Sequence, residues 1–316
     1  MKPSDAFSLV LLGALWGASY LFMQIGGGEF EAWALGGLRA LAASLCLLPL
    51  LLVGSRWREL ATHWKPIAIA GLAGAAAPYV LFAFATQHIS TGLTATMSAA
   101  TPLYAAAIAG VWLRERLSGP RLAGLLLGIA GVAWLVWDRI AIASGAGPAA
   151  LAIAAALAAT LGYGFSGNFS KRYLSTVSPL VITAGGQAFS ALALAVPTAL
   201  AWPAALPSSR AWLAFAALAL GCTALAYLLF FRLIARIGAA RTFSVSFLIP
   251  LFGVLWGWLF LHESISRGMV SGCAIILCGT ALNMGLGDSA LAWLRRRRAA
   301  ASIRPSGAVT ENGATA

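Results

Sequence analysis

Charge is what this chain has least of. Only 9% of its 316 residues are charged, and just nine are Asp or Glu. A soluble domain carries about a quarter charged residues, so this chain lacks the polar surface to be wetted all round. Histidine is nearly absent. His63, His88 and His262 are all there is, and each falls at an expected helix end or in a loop. No His-Glu-x-x-His occurs, and no cluster of Asp, His or Ser-His at one depth suggests an intramembrane enzyme. The four cysteines, Cys46, Cys222, Cys273 and Cys278, lie in apolar runs without Cys-x-x-Cys or Cys/His spacing. They read as packing residues, so neither a metal nor another cofactor is expected. Carboxylates are missing from every expected helix centre, which argues against proton coupling through a central acid.

What is present is apolar. Hydrophobic residues make up 60% of the chain, and the mean hydropathy is +0.86. Uncharged runs such as Ala6–Ile25 and Ala149–Ser170 are each long enough to cross a hydrocarbon core of roughly 30 Å as a helix. Continuous runs also exclude a β-barrel, whose strands alternate. The pattern predicts an all-α membrane protein with ten transmembrane helices. They cover 7–25, 32–53, 66–86, 93–113, 120–138, 149–170, 179–201, 211–234, 241–261 and 268–287. Ser118-Gly-Pro offers a cap and a first-turn proline to the fifth, Ser266 a cap to the tenth, and Ser178-Pro179 opens the seventh.

A net charge of +12 would suggest nucleic acid in a soluble protein. Here the basic residues sit in short segments between apolar runs, so they read as topology signals and no nucleic-acid partner is expected. With the N-terminus in the cytoplasm, the inside segments hold Lys2; Arg56, Arg58 and Lys65; Arg114, Arg116 and Arg121; Lys171 and Arg172; Arg232, Arg236 and Arg241; and Arg295–Arg298 with Arg304. The outside holds Arg139, Arg210 and Arg267. Both termini are therefore expected in the cytoplasm of a multi-pass membrane protein. Residues 288–316 begin with four arginines and continue in small polar residues. They read as a disordered tail, whose Arg295–Arg298 cluster anchors the topology or meets anionic lipid.

The stretch Tyr79–Gly131 occurs twice. At an offset of 148 it lands on Tyr227–Gly279 without a gap. Tyr79, Leu81 and Phe82 meet Tyr227, Leu229 and Phe230. Pro102, Glu115, Ser118, Gly124 and Gly131 meet Pro250, Glu263, Ser266, Gly272 and Gly279. Coincidence of such locally restrictive residues marks a tandem duplication, with one repeat at 7–138 and the other at 149–287. Five helices per repeat is an odd number, so the second copy enters the membrane upside down. Two inverted repeats around a central cavity are the architecture of many secondary transporters.

Candidate site residues follow from polar and aromatic groups inside these runs. Arg39 is the one full charge well inside a helix; it either serves a site or snorkels and satisfies loop carbonyls. At the repeat offset it meets Gln187. Pro102 and Pro250 lie mid-helix, where each frees carbonyls that line a cavity or a tolerated kink. Hydroxyls precede both prolines, at Thr94, Thr96, Ser98 and Thr101 and at Thr242, Ser244 and Ser246. They serve substrate or their own helix backbone. Trp16 and Tyr20 lie one turn apart, Tyr163 and Asn168 share the sixth helix, and Tyr79 and Tyr227 are repeat partners. An aromatic-walled pocket with a few hydrogen-bonding groups suits an amphipathic metabolite. Glu115 and Glu263 end the fourth and ninth helices at the water boundary, as interfacial anchors or partners for arginine.

Ten helices in a five-plus-five repeat, with Pro102…Leu113-Arg114-Glu115 and Pro250…Leu261-His262-Glu263, closely resemble the EamA-type permeases of the drug/metabolite transporter superfamily. The Gly-x6-Gly spacing, Leu15-Trp16-Gly17 and Arg39 fit as well, and the resemblance covers about residues 7–287. It implies a bacterial inner-membrane permease, often an exporter of amino acids or related metabolites. It also implies a cavity that would include Trp16, Tyr20, Tyr79, Ser98, Tyr163, Asn168, Tyr227 and Ser246. The expected activity is export of a small metabolite by alternating access, with efflux of drugs or toxic compounds, or a non-transporting assembly role, as alternatives. Small multidrug relatives use a glutamate in the first helix, and this chain has none there. Oligomeric state is not readable from the residues.

Overall fold

The computed structural model describes residues 2–52, 56–142 and 146–285. Among them every regular element is a helix. In chain order they are α1 (Pro3–Gly27), α2 (Ala32–Leu52), α3 (Arg56–Thr62), α4 (Trp64–His88), α5 (Thr91–Ser98), α6 (Thr101–Trp112), α7 (Gly119–Ile142), α8 (Ala146–Tyr173), α9 (Pro179–Leu200), α10 (Ser209–Ile237), α11 (Phe243–Leu261) and α12 (Arg267–Asn283), with a single helical turn at Ala239–Thr242 leading into α11. Eight of these, namely α1, α2, α4 and α7 through α11, are long and apolar enough to cross a membrane. Their outward faces are apolar, with Leu200 83% and Leu213 71% exposed. The expected tail and Arg295–Arg298 lie outside the described residues.

Two of the ten expected helices differ in form. The segment 93–113 is divided by a turn at Ala99–Ala100 into α5 and α6. Pro102 has no N–H for the carbonyl of Ser98, and the Thr101 hydroxyl donates to that carbonyl instead, at 2.7 Å. Pro102 is therefore not mid-helix as expected. It sits in the first turn of α6, where a missing N–H costs little. Pro250 likewise stands in the opening turn of the α-helical stretch Leu248–Leu261, after a 3-10 stretch at Phe243–Phe247. The last helix, α12, has 17 residues within the described part. The short α3 was not expected from hydropathy, because Arg56, Arg58 and Glu59 make it too polar to register.

Backbone irregularities recur at the 148-residue offset. A π-helical stretch runs over Leu72–Ala76 in α4 and over Ala217–Leu225 in α10. Among the described residues, Arg114 and His262 are the two non-glycine residues with positive φ, at 55° and 53°. After each, the amide of the following glutamate returns to a helix carbonyl: Glu115 to Ala109 and Glu263 to Gly257, both at 3.2 Å. The Ser266 hydroxyl caps α12 by accepting from the Met269 amide, as expected. The Ser178 hydroxyl makes no such cap on α9.

The packing is reciprocal. α2 lies along α9 and α7 along α12, so in each case a helix meets its own repeat counterpart. α1 rests on α11 as its counterpart α8 rests on α6, and α8 meets α4 as α1 meets α10. Each half thus buries its inner helices against the other half.

Candidate functional site

Tyr79 is the centre of the buried polar groups. It follows the π-helical turn of α4 and is 2% exposed. From α2, the Arg39 guanidinium lies 4.0 Å from the centre of its ring, a cation–π contact. From α9, the Gln187 side-chain amide donates to the Tyr79 hydroxyl at 2.7 Å. Arg39 and Gln187 are repeat partners, and they grip the same tyrosine from opposite halves. Arg39 Nε also donates to Thr223 Oγ1 at 2.9 Å, and a terminal nitrogen faces the Met23 sulfur at 3.8 Å. Thr223 sits in the π stretch of α10 and donates its own proton to the Leu218 carbonyl, five residues back. Its oxygen is thereby left as an acceptor for the guanidinium.

Aromatic rings surround this grip. The Tyr227 hydroxyl lies beside that of Tyr79. Trp16 packs on Tyr227 and Phe230, with ring centres 6.3 and 5.3 Å apart. Tyr20 meets Phe82 edge-on at 5.4 Å, and Phe82 stacks on Tyr163 at 5.9 Å. The Tyr20 hydroxyl lies beside Ser98. Trp16, Tyr163 and Tyr227 are partly buried. Of the expected residues, the structure therefore brings together Trp16, Tyr20, Arg39, Tyr79, Ser98, Tyr163, Gln187 and Tyr227.

The remaining four are engaged otherwise. Asn168 is 6% exposed and donates to the carbonyls of Ala105 and Gly164, both at 2.9 Å, tying α8 to α6. Ser246 donates to the Phe243 carbonyl in its own turn, and Pro102 and Pro250 act on the backbone. The other hydroxyls before the prolines also donate to nearby carbonyls of their own segment. Thr223, Met23, Phe82 and Phe230 escaped the sequence reading. Phe82 and Phe230 carried a signal as repeat partners, whereas Thr223 and Met23 lie in apolar runs and carried none. Two open hollows, of about 530 and 790 Å³, lie elsewhere, along Trp258–Ile265 and along Val111–Arg114 with Arg172. They occupy repeat-equivalent turns at the helix ends. The tyrosine group is the stronger candidate site, because its polar atoms are buried and converge from both halves.

Glutamates link the halves at helix N-termini. Glu263 accepts from the amides of Thr91 and Gly92 at 2.7 and 3.2 Å, where α5 begins. Glu59 accepts from the Ser178 amide at 2.6 Å ahead of α9. Glu29 accepts from both the amide and the hydroxyl of Ser208 ahead of α10, and these bonds hold its carboxyl below the usual range. Carboxylates are favoured at helix N-termini by the unpaired amides and the dipole. Glu263 is thus a cross-half cap, neither an arginine partner nor a simple anchor, while Glu115 pairs with Lys171 at 2.5 Å on the surface. In a Thr91→Cys background, Glu263→Ala is expected to raise labelling of position 91 by an impermeant maleimide about tenfold, since a lost cap costs about 1–2 kcal/mol. Unchanged labelling would mean that this contact does not hold the end shut.

Comparison with known proteins bears on what this arrangement serves. The model of the EamA-like transporter family matches residues 5–137 and again 150–285. The chain is 23% identical over 288 residues to the uncharacterized transporter YvbV of Bacillus subtilis (strain 168), covering 89% of this chain and 92% of that protein. A probable terminal-alkyne amino-acid exporter of Streptantibioticus cattleyicolor is 29% identical over 138 residues, covering 42% of this chain and 45% of that one. One solved crystal structure shares the fold at a TM-score of 0.64, with 21% identity over 95% of this chain and 99% of that chain.

Proposed function

The chain belongs to the EamA-like transporter family, and from that premise we propose that it exports a small metabolite, such as an amino acid or related amphipathic compound, by alternating access. It is a multi-pass membrane protein and a transporter, not an enzyme. In this reading, repeats at 7–138 and 149–287 form an inverted pair of five membrane crossings each. The divided α5–α6 and the 3-10-opened α11 supply the joints about which they rock. The membrane is the bacterial inner membrane, with both termini in the cytoplasm. Reciprocal packing and backbone irregularities repeated at one offset support the inverted pair, because two like halves give two states of similar energy.

The observation that carries the site is the grip on Tyr79 by Arg39 of one half and Gln187 of the other. Any rocking of one half against the other must alter it. A ligand held there therefore contacts both halves, and can bias which state is favoured only through such differential contact. Trp16, Tyr20, Tyr163 and Tyr227 supply the aromatic wall, and Ser98 a hydroxyl. Asn168, Pro102, Ser246 and Pro250 shape the moving helices.

Efflux from proteoliposomes tests the reading. Trp16→Ala is expected to lower efflux about tenfold, in line with loss of an aromatic anchor, with membrane insertion intact. Asn168→Ala should lower it too, through the tie between α8 and α6. Unchanged efflux in both variants would remove this site assignment.

A further inference from the structure

Arg39 is 7% exposed, and no carboxylate lies within ion-pair distance of it among the described residues. The ion pairs that are described, Lys171 with Glu115 and Arg236 with Asp5, lie elsewhere. Its contacts are a threonine hydroxyl, a thioether sulfur and a tyrosine ring. A guanidinium carries five N–H donors in a planar fork shaped for a carboxylate. One is used on Thr223 and one faces the weak acceptor of Met23, so the rest of the fork is free. A buried charge without a counter-ion is costly, and buried charges are normally paired.

A second polar atom nearby is also unanswered. Gln187 is 2% exposed, and its Oε1 has no partner among the described residues. Turning the amide over would exchange a free acceptor for a free donor, so one buried atom stays unmatched either way. This atom and the free part of the guanidinium flank one side chain, Tyr79. Buried and partly buried aromatic rings surround them.

We propose that Arg39 is the carboxylate anchor of the transported molecule. The substrates are then small organic acids or zwitterions whose carboxylate takes the free N–H groups of the guanidinium, while the aromatic wall holds the apolar part. Thr223 and Met23 are positioning residues that fix the fork. The proposal rests on the transporter reading above and narrows it. It predicts that analogues of the same size without the carboxylate are poor substrates, because they leave the cation without a partner.

The test uses the full chain in proteoliposomes. These are loaded with a mixture of the proteinogenic amino acids or with the corresponding amino-acid amides, which keep the amine and side chain but lose the carboxylate. Efflux is read by mass spectrometry after subtracting protein-free liposomes. Wild type is expected to move the acids about tenfold or more faster than the amides. Arg39→Gln should bring that ratio close to one, with Arg39→Lys between. Comparison of acid and amide in the wild type needs no substitution, so misfolding of a variant cannot hide the result. Equal efflux of acids and amides overturns the anchor and leaves the transporter reading standing; a permanently held inorganic anion at Arg39 would give this outcome. Faster efflux of the amides overturns it as well. Efflux of neither class overturns both readings for this chemistry.

Discussion

Gly279→Leu is expected to abolish the folded protein, leaving little or none after detergent extraction and size-exclusion chromatography. A Cβ at Gly279 would stand 2.4 Å from the amide nitrogen of Gly128, 2.6 Å from its Cα and 2.7 Å from the carbonyl oxygen of Gly124. All three are backbone atoms of α7, so no side-chain rotation makes room. The helices must separate, and α7 against α12 is a place where a helix meets its own repeat counterpart. Overpacking a core costs about 1–3 kcal/mol when side chains can give way, and more when they cannot. The whole stability of a domain is about 5–15 kcal/mol. Gly131→Leu should be milder: one of its three nearest neighbours is again backbone, at 2.9 Å, but the other two are carbons of Ile275 and Ile276 side chains. Gly119→Leu, with nothing within 4 Å, should leave yield unchanged. Equal yields of all three variants would mean that this helix pair tolerates separation.

The correspondence of the two helices was legible, because Gly124, Gly131, Gly272 and Gly279 fall on one offset and glycine is a costly residue inside a helix. What was not legible was which helix each would face. That depends on how two halves dock, and local restriction says nothing about docking. The same division runs through the site. Tyr79, Tyr227, Arg39 and Gln187 stood out as polar or aromatic residues in apolar runs. Their convergence on one tyrosine is a product of tertiary packing, and Thr223 gave no hint because one threonine in an apolar run serves its own backbone equally well. Pro102 announced a break but not its place. The break falls where the carbonyl four residues back loses its donor, and a neighbouring threonine takes over. Arg114 and His262 hid their left-handed backbone entirely, since that conformation is read from glycine or asparagine and neither is present. Glu263 looked like an anchor because its true partners are backbone amides of the other half, which have no letter in the sequence.

Arg116→Cys and Ser264→Cys, each in a background with Cys46, Cys222, Cys273 and Cys278 replaced by alanine, should label from opposite sides of the membrane. Both native residues are exposed, and they are partners at the 148-residue offset. They follow Arg114 and His262, whose φ angles are nearly identical. In two parallel copies, such equivalent turns would face one compartment. In an inverted pair they must face opposite ones, because five crossings separate them. The charges argue for the second case. Arg114 and Arg116 crowd the first turn, while His262 and Ser264 occupy the other, and basic residues are retained on the cytoplasmic side. An impermeant maleimide should therefore modify position 264 in intact cells and position 116 only in inside-out vesicles. The difference is all-or-none, so weak labelling does not blur it. Modification of both from one side would leave the halves parallel, and Arg39 and Gln187 would then no longer be counterparts across a flipped pair.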